Sequence, residues 1–144
     1  MQATVQSDIK LSYWDRVGIA VSGICVVHCL LLPVALAVLP LWPLGEALHG
    51  WLHPVFALLL VPTTVMAAVS GYRKHRQQVV VALLGTGLVA ILVAGGLGYA
   101  HPGVAVETAL TLCGSGLLIA GHWRNWRATL QGGCDRSERD RQLQ

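Results

Sequence analysis

Charge is what this sequence has least of. Only 12% of its 144 residues are Asp, Glu, Lys or Arg, while 54% are hydrophobic; a soluble domain carries roughly 25% charged residues. The 17 charges are also confined. Four lie in residues 1–16, eight in 124–144, and the 107 residues between hold only Glu46, Arg73, Lys74, Arg76 and Glu107. Such a middle has too little polar side chain to cover a water-facing surface, which excludes an ordinary soluble globule. The length leaves no room for a second domain, and no internal repeat or low-complexity segment stands out. The ten Lys and Arg form no basic face but sit in short flanks of apolar runs, so the pI near 8.9 does not point to nucleic acid. A nucleotide-binding P-loop is missing as well, which removes ATP as an obvious energy source.

What is present is a set of long uncharged runs: 17–45, 47–72, 77–106 and 108–123. A helix needs roughly 20 apolar residues to cross a bilayer. The fourth run gains length upstream of Glu107, where Pro102 suits a helix start. The sequence therefore predicts an all-α, polytopic membrane protein of four transmembrane helices, at about 16–39, 50–71, 78–100 and 104–123. Residues 1–15 form a short N-terminal segment, 16–123 the membrane domain, and 124–144 a tail expected as a mobile, solvated end. A cleavable signal peptide ending near Ala35-Leu36-Ala37 is the competing reading of the first span, but its apolar run is too long and its removal would leave three spans.

Basic residues are wholly absent from the two loops at 41–48 and 101–106. With four spans, all ten fall on the opposite side: Lys10, Arg16, Arg73, Lys74, Arg76, Arg124, Arg127, Arg136, Arg139 and Arg141. The positive-inside rule then places both termini in the cytoplasm of a cell whose inner membrane the chain crosses. Pro33 and Pro62 are expected to kink their spans, and Gly85, Gly95, Gly114, Gly116 and Gly121 to permit close helix contacts.

Against this apolar background the polar residues inside the spans carry the functional signal. The first span contains Cys25-Val26-Val27-His28-Cys29, whose Cys and His positions fall at i, i+3 and i+4 on one helical face. An ionisable side chain within a span is costly and marks a cavity or a partner. Thiolates with imidazole select soft or borderline metals such as Hg(II), Cu(I), Zn(II) or Cd(II). A Cys25–Cys29 disulfide is less suited, because i, i+4 side chains on a straight helix run nearly parallel. His49 and His53 make a second i, i+4 pair where the chain re-enters the membrane, with surface anchoring by Trp51 and His49 as the alternative role. At 1.5 Å per residue, Cys29 lies roughly 20 Å from the cytoplasmic edge of a core about 30 Å thick. His53 falls near the same level, so the two sites can form an outward-facing relay with Glu46 at its mouth.

At the cytoplasmic ends, His122 closes the fourth span and His75 lies among Arg73, Lys74 and Arg76, where anchoring is the better reading. Cys113 reads as packing, Cys134 as a free thiol in the reducing cytoplasm, and Glu107 as a charge favoured by the helix dipole.

These residues resemble the MerC family of small inner-membrane mercuric transport proteins. The resemblance runs from about Trp14 to Asn125 and rests on Asp15-Arg16-x-Gly18, Cys25-x-x-His28-Cys29 with Pro33, Gly71-Tyr72-x-x-His75, and Glu107 followed by Gly114 and His122-x-x-Asn125. It implies a four-helix protein that takes a thiophilic ion, Hg(II) in the named activity, through first-span cysteines toward the cytoplasm. Mixed Cys and His ligation suits Zn(II) as well, whereas Hg(II) is satisfied by two thiolates in line.

The expected activity is passive inward transfer of a soft divalent ion, not enzymatic catalysis. His49 and His53 capture it, Cys25, His28 and Cys29 bind it, and it leaves by ligand exchange near His122. No permanent cofactor is implied, since Hg2+ or Zn2+ is the cargo. The expected partners are the lipid bilayer, the ion and metal-handling proteins of periplasm or cytoplasm. Four short helices enclose little room, which leaves a homo-oligomer with a pore between protomers as another arrangement. Two rival functions stay open: a quinone-linked thiol-disulfide oxidoreductase cycling Cys25 and Cys29, although neither outer loop contains a cysteine, and a non-transporting metal sensor or accessory subunit.

Overall fold

A computed structural model describes the backbone of residues 2–38, 42–97 and 104–142, and the side chains of 13–31, 34, 51, 54–74, 76–96, 105–132 and 142. The described backbone is almost entirely helical: α1 is Gln2–Val38, α2 Trp42–His75, α3 Gln78–Leu97 and α4 Val104–Gln142. Each contains a stretch long and apolar enough to cross a membrane: Tyr13–Leu31, Pro54–Lys74, Gln78–Gly96 and Ala105–Gly132. Packing is cyclic, α1 against α2, α2 against α3 and α3 against α4, with α1 closing the ring on α4 and α2 touching α4 across the middle.

Three helices outrun their expected boundaries. α4 has 39 residues, so at 1.5 Å each it is about 58 Å long, nearly twice the hydrocarbon core. The tail, expected to be mobile, continues this helix to Gln142. Its sequence is consistent with that, because Asp135 and Arg139, and Arg136 and Asp140, stand at the i, i+4 spacing of opposite charges that supports a solvated helix. α1 begins at Gln2, and α2 begins at Trp42, within the segment expected to be an outer loop.

α2 turns into α3 over two residues. Arg76 takes a left-handed conformation at φ 49°, the geometry in which helices commonly end. Its N–H reaches the Tyr72 carbonyl at 3.0 Å, and Val80 N–H reaches the Gln77 carbonyl at 3.1 Å to open α3.

The bundle is apolar outside and partly polar inside. Leu58, Ile24, Val89 and Leu92 are among the large hydrophobic side chains that face outward. Beside an apolar core of Leu60, Ala67, Val80, Leu84, Ile91 and Leu118, the interior holds Asp15, Ser22, Thr63, Thr64, Thr111, Ser115, His122, Asn125 and Thr129. Lipid tails are as apolar as leucine, so helices in a membrane associate through close packing and polar contacts. α3 and α4 show the close packing: a Cβ on Gly87 would lie 2.8 Å from the Gly114 carbonyl oxygen, and one on Gly114 would lie 2.9 Å from that of Gly87. Of the five glycines flagged in the sequence, Gly114 and Gly121 sit at such contacts, while Gly85, Gly95 and Gly116 face open space. Pro62 and also Pro54 lie inside α2.

Candidate metal path between the first and fourth helices

On α1 the buried positions are Asp15, Gly18, Ser22, Cys25 and Cys29, in alternating steps of three and four. That spacing draws one stripe along a helix. It faces α4, whose buried positions Thr111, Ser115, Leu118, His122, Asn125 and Thr129 follow the same rhythm. The two helices run antiparallel, since Asp15 meets His122 and Asn125 while Cys25 comes beside Ser115. The result is a mostly polar seam. From Asp15 to Cys29 it extends about 21 Å at 1.5 Å per residue, two thirds of a hydrocarbon core.

One half of it holds the thiols. Cys25 is 1% and Cys29 5% exposed, and both are free. The two sulfurs lie side by side, with Glu107 of α4 within electrostatic reach of Cys29. Ser115 Oγ comes up beside Cys25 but meets no partner at full hydrogen-bond geometry.

His28 occupies a different sector. At about 100° per residue, Cys29 stands about 40° to one side of Cys25 and His28 about 60° to the other. The thiols therefore turn toward α4, whereas the half-buried His28 ring lies 5.8 Å from that of Phe56 on α2. Among the described residues, no three His, Cys, Asp or Glu side chains gather as a metal site. The side chains of His49, His53, Glu46, His75 and Cys134 lie outside the described residues. Cys113 is exposed on the outer surface of α4, away from the seam, and so does not pack in the core as the sequence suggested.

At the opposite end of the seam from the thiols, His122, singled out in the sequence, meets Asp15 and Asn125, which the resemblance named without giving them a role. His122 Nδ1 is 3.0 Å from Asp15 Oδ1, with both side chains fully buried. Asn125 Nδ2 donates to both carboxylate oxygens, at 3.1 and 3.0 Å, and to the Ala67 carbonyl of α2 at 3.2 Å. The carboxylate thus ties α1 to α4, and Asn125 extends the tie to α2. Two glycines make room for it: a Cβ on Gly18 would collide with the His122 imidazole, and one on Gly71 with the Asn125 side-chain oxygen. By sequence Asp15 belongs to the charged N-terminal flank, and its partners on α4 show that it lies inside the bundle. The sequence signal was its place at the head of the three-four stripe that ends in Cys29.

Between the two ends the seam is polar but unsatisfied. Ser22 Oγ, Ser115 Oγ and His122 Nε2 are buried without a hydrogen-bond partner among the described residues. Buried polar atoms are rarely left so, and each such case asks for a reason. Just beyond the Asp15–His122 end, Arg16 stacks over the Trp126 ring at 5.1 Å and Arg127 over Trp123 at 5.3 Å, an aromatic and basic collar of the kind found at membrane surfaces.

The family model described as MerC mercury resistance protein matches residues 15–127. The matched region begins at Asp15 and ends two residues beyond Asn125, so it encloses both ends of the seam. No curated protein and no solved structure matches the chain. With the family model covering most of its length and four helices able to span a membrane, this chain belongs to the MerC family of mercury resistance membrane proteins.

Proposed function

We propose that the protein carries a soft divalent metal ion inward across the cytoplasmic membrane, with Hg(II) as the first candidate and Zn(II) as the second, and that Cys25 and Cys29 hold the ion in transit. The observation that carries this reading is the pair of adjacent, buried, unbridged thiols inside a membrane-spanning helix, turned onto a polar seam.

The chemistry follows from charge. A bare divalent cation is excluded from a bilayer core by its desolvation cost. When Hg(II) binds two thiols, two S–H bonds are replaced by two Hg–S bonds and two protons leave to water, so the bound unit is neutral. Two sulfurs are sufficient for Hg(II), whereas Zn(II) takes four ligands and would need His28 or water in addition.

The ten basic residues on one side of the four spans support cytoplasmic termini, and the ion then enters near the start of α2, where His49 and His53 are the proposed capture ligands. From Cys25 it passes inward along Ser115 and Ser22 to His122. Each step is ligand exchange down the ion's own gradient, in keeping with a sequence that carries no P-loop. The reading is tested in cells expressing a Cys25→Ser, Cys29→Ser double variant. Loss of Hg(II) hypersensitivity and of Hg(II) accumulation is expected, and accumulation equal to wild type for both Hg(II) and Zn(II) overturns the site.

A further inference from the structure

The inner cluster is more elaborate than a helix contact requires. A buried carboxylate receives three short contacts from α4, and the group it positions, His122, keeps one nitrogen with no hydrogen-bond partner among the described residues. The direction of that nitrogen is set by the ring. Nδ1 is turned to Asp15, and the two nitrogens of an imidazole look in nearly opposite directions. Nε2, Cε1 and Cδ2 are the ring atoms that a Cβ on Gly18 would meet. The ring therefore lies against Gly18, three residues along α1 from Asp15 in the direction of Ser22 and Cys25, and Nε2 faces away from Asp15.

The hydrogen placement follows from the donor count. A carboxylate accepts and does not donate, so the Nδ1 facing Asp15 carries a proton, and a ring holding that one proton has its lone pair on Nε2. Both oxygens of Asp15 also accept from Asn125, and Asn125 is itself pinned to the α2 backbone. The carboxylate cannot turn away from the ring without breaking those bonds. Such an outer partner fixes tautomer and orientation wherever imidazole binds a metal.

We propose that Asp15 and Asn125 are positioning residues that hold His122 in its Nδ1–H form, presenting the Nε2 lone pair along the α1–α4 seam as the inner acceptor for the ion leaving Cys25 and Cys29. This rests on the transfer reading above and adds to it a destination. Gly18 lies seven residues from Cys25, so the acceptor stands about 10 Å from the thiols. The ion crosses that gap past Ser22 and Ser115, whose hydroxyls are buried with no hydrogen-bond partner among the described residues. Neutral imidazole binds such an ion more weakly than paired thiolates do, which suits an acceptor that must also let go.

The test is made on the full chain, labelled with nitrogen-15 histidine, in lipid nanodiscs. The His122 resonances are identified by their loss in His122→Gln. The expected wild-type spectrum shows a protonated Nδ1 and an unprotonated Nε2, and Asp15→Ala moves the proton to Nε2 while Asp15→Glu does not. In proteoliposomes, Asp15→Ala lowers radiolabelled Hg(II) uptake by about tenfold or more, with Hg(II) stoichiometry at the thiols unchanged and uptake partly restored by Asp15→Glu. A wild-type His122 protonated at Nε2 overturns the proposal, as does an Asp15→Ala protein with wild-type uptake. If Asp15→Ala does not insert, the wild-type spectrum alone decides. The transfer reading fails separately, through unchanged uptake in Cys25→Ser, Cys29→Ser, an outcome that leaves the tautomer measurement intact.

Discussion

Asp15 and His122 are 107 residues apart in the chain and meet at 3.0 Å between Oδ1 and Nδ1, with neither side chain exposed. That contact couples α1 to α4. Removing one member strands the other in a low-dielectric interior, which costs about 3–5 kcal/mol where such buried pairs have been broken. Asp15→Leu and His122→Leu are each expected to lower stability by an amount in that range. The double variant, which strands neither member of the pair and leaves Asn125 its bond to the Ala67 carbonyl, should be clearly more stable than the sum of the two losses implies. Denaturant unfolding of the detergent-solubilised protein measures this, and strict additivity would mean that the pair does not couple α1 to α4.

Gly18 and Gly23 lie on the same helix and are expected to respond in opposite ways. A Cβ on Gly18 would collide with the His122 ring, whereas one on Gly23 meets nothing within 4 Å. Gly18→Ala should cost about 1–3 kcal/mol through overpacking. Gly23→Ala should be neutral or slightly stabilising, because alanine removes the entropy cost of glycine in a helix. Thermal unfolding of the two variants in parallel checks the contrast.

The four spans were legible because a run of 16 to 30 uncharged residues has few alternatives in a sequence of this length, and the structure places a helix in each. Helix ends were not, since hydropathy reports where lipid begins and says nothing of whether a helix continues into water, as α4 does to Gln142. The site was legible in part. Spacing put Cys25, His28 and Cys29 in one broad sector of α1, but the arc between His28 and Cys29 is about 100°, wide enough to be shared by two neighbouring helices. Which neighbour takes which residue depends on how the helices pack, and packing sent the thiols to α4 and His28 to Phe56. Asp15 was hidden for a related reason. A charge at the edge of a span reads as flank until its partner on another helix is known.

That division leads to a binding prediction. If the thiols alone hold Hg(II), a Cys113→Ser, Cys134→Ser background should bind one Hg(II) per chain. Cys25→Ser or Cys29→Ser in that background should abolish tight binding, while His28→Ala changes it less than about threefold, a small effect beside the loss of a ligand. Because two protons leave as the ion enters, apparent affinity should fall about 100-fold for each unit of pH below the range in which the thiols ionise. Titration followed by thiolate-to-metal charge-transfer absorption gives both numbers. A large loss in His28→Ala would place the imidazole in the coordination sphere and favour Zn(II)-like ligation. Trapping of free thiols in membranes belongs with this experiment, since a Cys25–Cys29 disulfide responsive to quinone would point to redox chemistry.

Ser22 and Ser115 allow stability and transport to be separated. Their hydroxyls are fully buried and have no hydrogen-bond partner among the described residues, so replacing them removes a desolvated group and breaks no bond. Ser22→Ala and Ser115→Ala should therefore leave stability within about 0.5 kcal/mol of wild type or raise it. Transport should respond differently, because among the described residues of α1 and α4 these are the buried side-chain oxygens between Cys25 and His122. Hg(II) bound at the thiols would then face an apolar step, and the double Ser22→Ala, Ser115→Ala protein is expected to bind Hg(II) normally while its uptake into proteoliposomes falls by about tenfold, the effect of roughly 1.4 kcal/mol on a barrier. Normal uptake in that variant would direct the ion away from the α1–α4 seam, and the interface between protomers would become the path to examine.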